Sequence, residues 1–414
     1  MSRRTFDIDP YPGRPRILYV RNGDTSHTHT WIEQLDRAEL NVRLFSLPTG
    51  APPPTWDVRT YVSMYRTPAL DPSNRRQLFS HRRAPRLAKY AYGQLVHDSV
   101  RRLPERWLAE VVRQWRPDII HTFGLRGGGE FYFGARKRYG LAGIGRWLLQ
   151  FRGASDLTLD RLDETRAPEI RAMIAEADQV LADNRVDLGF AAELGMNESQ
   201  LTPMVTVPGT GGIDIDALSS RWSGPTSSRR LILWPKAYEF FQSKALPVFE
   251  ALKLAWDRIE PCEIVMLAAQ PETIAWHRTL PEPLRNASRI LERIPRAEVL
   301  AMMGRARVML APSLLDGTPN AMFEAMASGA LPILSPLDTI RPVVGEPDNV
   351  LFARNLYPHE IADALMRAMS DDRLVDDASR RNLELVGRIA NRATIRETIR
   401  EYYAELAARP LARA

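Results

Sequence analysis

Short apolar runs rich in valine, isoleucine and leucine recur along this chain, each separated from the next by a segment with helical patterning. That alternation restricts the fold more than any other feature. In the first half the runs cover 16–20, 42–47, 118–123, 147–151, 179–182 and 205–208; in the second they cover 231–234, 263–268, 289–293, 307–311, 331–334 and 350–352. A strand that is apolar on both faces needs cover on both faces, which is the condition of a parallel sheet with helical crossovers. Two such sets in sequence predict an α/β protein of two Rossmann-like, doubly wound lobes facing one another across a cleft. The length of 414 residues agrees, being too great for one ordinary core.

The break between the sets falls at Pro208-Gly209-Thr210-Gly211-Gly212, which reads as a hinge. The expected domains are residues 1–210, residues 211–393, and a C-terminal helix in 394–414 that crosses back to the first lobe. Thr394 and Glu397 have capping-box spacing, which predicts a helix start at Thr394 and an end near Ala408.

Composition removes several classes of function. No run approaches ~18 apolar residues, so a membrane span is not expected. The start, Met1-Ser2-Arg3-Arg4, lacks the apolar core of a signal peptide. Cys262 is the single cysteine, which excludes an intrachain disulfide and any multi-cysteine metal site, and a reducing cytoplasm is the expected compartment. The net charge of +6 is concentrated. Between Arg75 and Arg116 there are eleven Lys or Arg against three acids, interleaved with Phe79, Tyr90, Tyr92 and Trp107. This stretch suits the anionic inner face of a membrane, an anionic acceptor, nucleic acid, or simply solvated helix faces. No nucleic-acid motif accompanies it, so nucleic acid ranks last and no nucleic-acid partner is expected.

The chemistry is concentrated in residues 311–334, Ala-Pro-Ser-Leu-Leu-Asp-Gly-Thr-Pro-Asn-Ala-Met-Phe-Glu-Ala-Met-Ala-Ser-Gly-Ala-Leu-Pro-Ile-Leu. A buried strand ends at Ala311. Thr318 is expected to cap the next helix, with Pro319 at its first position and Gly329 at its stop. The helix start then offers N–H groups and a positive dipole end to an anion such as a diphosphate. Asp316 precedes the cap and Glu324 lies roughly 9 Å along the helix from Thr318. Carboxylates repel phosphates, so these two are suited to accepting hydrogen bonds from hydroxyls at either end of a sugar–diphosphate–ribose ligand. Spacing alone fits a capped surface helix with two incidental acids equally well.

An acid, seven residues and a Glu, preceded by Pro312-Ser313 and followed by Ala325-Met326-Ala327-Ser328-Gly329, resembles the signature of the retaining family 4 glycosyltransferases (glycosyl transferases group 1) of GT-B fold. The family usually has Glu where this chain has Asp316, an acid shorter by one methylene. Weaker similarities run through the rest of the chain. Arg116-Pro-Asp-Ile-Ile-His-Thr-Phe123 resembles the family's Pro-Asp strand. Phe151-Arg-Gly-Ala-Ser-Asp156 resembles its His/Arg-Gly-x-Asp turn. Val207-Pro-Gly-Thr-Gly-Gly-Ile-Asp214 resembles its hinge, without the usual Asn.

The resemblance implies transfer of a hexosyl group from a UDP- or GDP-sugar co-substrate to a glycan, lipid-linked or small-molecule acceptor, as in polysaccharide biosynthesis, with no tightly bound cofactor and no metal. It implies a front-face mechanism, with catalytic roles for Lys236, Lys244, Asp316 and Arg152. Lys236 follows the first strand of lobe two and is the stronger phosphate candidate; Lys244 lies eight residues on, so an insertion separates the pair. Donor-binding roles fall to Glu324 at the ribose, to Gly317, Thr318, Asn320 and Ala321 at the helix start, and to Arg293 and Ile294 at the base. Gly23 and Asp24, in the polar loop after the first strand, and His121 are expected on the acceptor side. The glycines 127–129 read as a flexible turn opening a helix. His27 and His29 lack a third metal ligand. Two rivals on the same fold are a non-catalytic sugar- or glycan-binding protein and a sugar-nucleotide epimerase.

Overall fold

A computed structural model describes every residue except 1–3, 37, 51, 54, 64–75, 79–96, 154, 155, 293 and 411–414. The described chain divides into two compact units, unit 1 comprising 1–211 with 394–414 and unit 2 comprising 212–393.

Unit 1 is built on an eight-stranded sheet of β1 (Arg16–Arg21), β2 (Asn41–Ser46), β3 (Thr60–Val62), β4 (Arg76–Leu78), β5 (Ile119–Phe123), β6 (Arg146–Phe151), β7 (Gln179–Ala182) and β8 (Leu201–Thr206). Their order is β4-β3-β2-β1-β5-β6-β7-β8, and every pair is parallel. β2, β3, β5 and β7 are buried at every position, and β1 and β6 at all but their ends. Such strands cannot serve as half-solvated edges. The short strands β3 and β4 extend the sheet beyond the runs read from the sequence, and β8 starts four residues ahead of its expected position.

The last helix, Arg392–Ala408, packs in unit 1, where Ile399, Tyr402, Tyr403 and Leu406 are buried. It opens two residues before Thr394. Asn391 Oδ1 accepts the Ala393 N–H at 2.9 Å, and Glu397 pairs with Arg396 and Arg400, so the expected capping box is not the cap. Arg146 Nε donates to the Leu406 carbonyl at 2.9 Å and Tyr402 donates to Gln179 Oε1 at 2.7 Å, fixing the helix against the starts of β6 and β7.

Residues 75 and 79–96 of the basic stretch lie outside the described residues. In the helix His97–Trp115, Arg106 pairs with Glu110, Glu105 with Arg138, and Arg113 donates to the Tyr139 carbonyl. Among the described residues no helix is long and apolar enough to cross a membrane.

Unit 2 is built on β9 (Leu231–Trp234), β10 (Glu263–Leu267), β11 (Ser288–Leu291), β12 (Ala306–Ala311), β13 (Leu331–Leu334) and β14 (Leu351–Phe352), again all parallel. The order β11-β10-β9-β12-β13-β14 reverses direction between β9 and β12. Loops leaving the carboxyl ends of two strands at such a reversal diverge to opposite faces of the sheet, and the crevice between them is where open α/β sheets bind ligands.

Candidate functional site

The reversal in unit 2 brings together the loop after β9, from Pro235, and the loop after β12, from Pro312. Lys236 stands in the first and Asp316 in the second, and Lys236 Nζ donates to Asp316 Oδ2 at 2.5 Å. Burial alone disfavours the ammonium, but the Asp316 carboxylate, with Glu324 beyond it, outweighs that and holds the Lys236 pKa above its ordinary value. Lys236 is therefore a fixed cation at neutral pH.

The loop 312–319 is held from several sides. Ser313 N–H donates to Ser335 Oγ at 3.0 Å, Thr318 Oγ1 donates to the Thr339 carbonyl at 3.1 Å, and Thr339 Oγ1 donates to the Asp316 carbonyl at 2.8 Å. This corrects the expected cap. Thr318 spends its hydroxyl on Thr339, Pro319 occupies the N-cap, and the helix runs from Asn320 to Ala327. Gly329 is the stop, at φ +77°; a side chain there would meet Trp222 at 2.9 Å as well as the left-handed strain. Gly317 and Thr318 are buried, while Asn320 and Ala321 are half-buried.

Glu324 sits on this helix with only 9% of its surface exposed, and its carboxylate is bound by the Arg296 guanidinium. Arg296 opens the helix Arg296–Met303 that follows β11. Sequence reading missed it, because an arginine at a helix start carries no signal of which acid it will meet. Arg293 lies outside the described residues. Ile294 lines a cavity of about 370 Å³ with Pro235, Leu267, Ala268, Ala269, Leu291, Glu292 and Val299, past the ends of β9, β10 and β11.

Lys244 is half-exposed, and its Nζ pairs with Glu239 Oε1 at 2.8 Å rather than with the Lys236–Asp316 pair. The segment between the lysines carries Phe240 and Phe241, both exposed, in a turn closed by reciprocal hydrogen bonds between Phe240 and Ser243.

In unit 1 the sheet reverses between β1 and β5. Gly23, after β1, donates its N–H to Ser46 Oγ at 3.1 Å and to the Gly50 carbonyl at 3.0 Å; a Cβ there would meet Pro52 Cδ at 2.7 Å. Asp24 beside it is exposed. The glycines of 127–129 lie in a tight turn, Gly124–Gly129, that opens the helix Glu130–Tyr139. His29 stacks on Trp56, with ring centroids 4.0 Å apart.

His121 is the clearest departure from expectation in unit 1. It is fully buried, its Nδ1 shares a 2.6 Å hydrogen bond with the Tyr403 hydroxyl, and Tyr403 in turn shares one of 3.1 Å with Tyr19. Burial first, and then Arg152, holds the His121 pKa well below its ordinary value, so the ring is neutral. A neutral ring with no exposed surface is a core group and not an acceptor contact. Arg152 turns inward: its guanidinium lies 3.7 Å from the Phe123 ring centroid and 5.0 Å from that of Trp31. Burial, then neighbouring Arg21, brings its pKa down to about 9. The turn that carries it is clamped by carboxylates, Asp156 Oδ2 accepting the Arg152 N–H at 2.7 Å and Asp183 Oδ2 the Gly153 N–H at 3.1 Å.

Comparison with known proteins agrees with this architecture. Residues 236–371 match the family model of the glycosyl transferases group 1, a span that holds Lys236, Lys244, Asp316 and Glu324. No curated protein matches the sequence. Among solved structures, sucrose-phosphate synthase from Thermosynechococcus elongatus superposes with a TM-score of 0.67 at 15% identity, covering 95% of this chain and 99% of that one. The α,α-trehalose 6-phosphate synthase from Burkholderia multivorans gives 0.67 at 14% identity, over 95% and 99%. Anabaena HepE in complex with UDP-glucose gives 0.66 at 12%, over 94% and 99%. The fold is thus that of the GT-B glycosyltransferases, and the family resemblance read from the acid–Glu motif holds over residues 236–371, which match the group 1 model.

Proposed function

We propose that the protein is a retaining hexosyltransferase that takes its sugar from a UDP- or GDP-sugar and passes it to a glycan, lipid-linked or small-molecule acceptor. Unit 2 is the donor side and unit 1 the acceptor side. The observation that carries this reading is the Lys236–Asp316 pair at the sheet reversal, with the Glu324–Arg296 pair on the adjoining helices. At rest each acid neutralises a cation. An arriving diphosphate replaces Asp316 as the partner of Lys236, and Asp316 is then free to accept the hydroxyls of the sugar. Glu324, kept oriented by Arg296, accepts a ribose hydroxyl. Ile294 and the apolar cavity beside it receive the base. The first turn of the helix Asn320–Ala327, with the backbone of Gly317 and Thr318, faces the phosphates. Negative charge grows on the leaving diphosphate in the transition state, and cations fixed in advance stabilise it there.

Support comes from the family match over residues 236–371 and from structural neighbours whose bound molecules include UDP and UDP-glucose. Lys244 is the second phosphate cation, once released from Glu239. The catalytic role expected of Arg152 requires its guanidinium to leave the Phe123 face. The basic stretch 75–116 guides an anionic acceptor or an anionic inner membrane surface.

Incubation with UDP-, GDP- and ADP-sugars, followed by mass spectrometry of the products, tests the reading. Donor hydrolysis or transfer with retained anomeric configuration supports it. An isomerised donor indicates an epimerase. Thermal stabilisation by the donor without turnover indicates a binding protein.

A further inference from the structure

The loop that carries Lys244 is not free to choose its own course. Asn355, just past β14, is 1% exposed, and its side-chain amide grips that loop from both sides. Its Oδ1 accepts the Lys244 N–H at 3.0 Å, and its Nδ2 donates to the Lys244 carbonyl at 3.1 Å. Nδ2 also donates to the Pro312 carbonyl at 3.0 Å, at the head of the loop that holds Asp316. Ser243 Oγ reaches the same Pro312 carbonyl at 3.2 Å, and the Leu314 N–H donates to the Gln242 carbonyl at 2.8 Å. One buried amide therefore joins the loops that leave β9, β12 and β14.

The pairing of residue 244 through both its N–H and its carbonyl is the two-point bond of one strand residue to the next, made here by a side chain. It fixes the backbone from which the Lys244 side chain departs. A long cation is worth most to a ligand when little of its freedom remains to be lost on binding. Only an amide supplies an acceptor and two donors in one plane. Aspartate keeps the acceptor but turns carboxylate oxygen toward two carbonyls; alanine keeps nothing.

We infer that Asn355 is a positioning residue for the diphosphate site, acting through Lys244 and locking the inserted loop 237–245 to the loop of Asp316. This rests on the donor-side reading of unit 2 given above.

The test is calorimetric binding of inorganic pyrophosphate and of UDP and GDP to the whole protein, as wild type, Asn355→Ala, Lys244→Ala and the double variant. Asn355→Ala and Lys244→Ala are each expected to weaken pyrophosphate about tenfold, the scale of one charge-assisted hydrogen bond. The double variant is expected to lose no more than Lys244→Ala alone, because both changes remove one aimed cation. Asn355→Asp, which keeps the acceptor for the Lys244 N–H, is expected to recover part of the loss, and it carries the same cycle if the alanine variant does not fold. Losses that add, or an Asn355 variant that binds pyrophosphate as wild type does, overturn the inference and leave the donor reading standing. A wild type that binds none of the three ligands overturns both. Lys236→Ala, run beside them, reports on the donor reading alone.

Discussion

Units 1 and 2 share one plan, a parallel sheet reversing direction beside its first strand, yet they handle charge at that reversal in opposite ways. In unit 2 the charged groups stand on loops and helix starts or faces and are paired one to one, Lys236 with Asp316, Lys244 with Glu239 and Arg296 with Glu324. Each pair is at least partly reachable by solvent, so an incoming ligand can exchange with one member. In unit 1 several polar groups in and past the strands are interior, while Asp24 after β1 is exposed. Arg152 lies on aromatic faces, His121 is neutral beneath Tyr403, and Asp156 and Asp187 are raised by burial to pKa values of about 7 and about 8. On the proposed reading, one reversal exchanges partners with a ligand and the other keeps shape. That difference predicts where substitutions will damage turnover and where they will damage folding.

The largest effect is expected in unit 2. Lys236→Ala and Glu324→Gln should each lower kcat/KM for the nucleotide-sugar by about 10²–10³-fold, the usual loss when one fixed transition-state donor or orienting group is removed. Circular dichroism and the thermal midpoint should scarcely move. Full activity in either variant removes that residue from the site and breaks the contrast at its stronger end.

Tyr403→Phe carries the contrast into unit 1. It leaves His121 Nδ1 and the Tyr19 hydroxyl without their shared partner inside the core. A buried polar group left unpaired costs about 1–3 kcal/mol. Denaturant titration should show a loss of that size, with nucleotide binding to unit 2 unchanged. A variant as stable as wild type would mean that this network holds no structural weight.

The two reversals were unequally legible in the sequence. Asp316, Gly317, Glu324 and Gly329 lie within one short stretch, so the family resemblance singled out the two acids and Gly317, and helix-stop chemistry marked Gly329. The Arg296 partner of Glu324 was not visible, nor was Asn355: one opens a helix and the other follows β14, and no local pattern marks a residue whose contact is non-local. Thr318 misled for a related reason: its composition suits a cap, but Thr339, 21 residues away, competes for the same hydroxyl and wins. In unit 1 the alternation of apolar runs gave the strands of the sheet centre, whereas β3 and β4, three residues each, are too short to show a period. His121 was expected on the acceptor side from the family resemblance of its strand; the fold makes it a core group by covering it with the C-terminal helix.

A smaller effect sharpens the picture of unit 1 through pH. Asp187 is fully buried, and burial, together with the negative charge of Asp183, raises its pKa to about 8; Asn184 Nδ2, donating at 2.9 Å, opposes the shift only in part. Burial likewise raises Asp156 to about 7. In the unfolded chain both titrate near the ordinary aspartate value of about 4. The folded state thus binds more protons across that interval, and its stability falls as pH rises from about 4 through about 8. The slope is at most about 1.4 kcal/mol per pH unit for each group. Thermal midpoints measured from pH 5 to pH 8 should decline, and Asp187→Asn should flatten the decline. A midpoint that stays level over this range would mean that these carboxylates are already ionised throughout it.

The smallest expected effect returns to unit 2 and asks whether its resting pairs really compete with a ligand. Glu239 binds Lys244 Nζ through Oε1 and accepts the Ala245 N–H through Oε2 at 2.8 Å. Glu239→Gln keeps an acceptor for that N–H and removes the charge that occupies the lysine. The pair is partly exposed, and pairs of that kind are worth about 0–1 kcal/mol, so releasing the lysine should tighten pyrophosphate binding by only a few-fold, and less at high salt. If binding weakens instead, Glu239 is aiming Lys244 rather than occupying it. The exchange of partners would then belong to Lys236 and Asp316 alone, and Lys244 would resemble the fixed groups of unit 1 more than its neighbour across the loop.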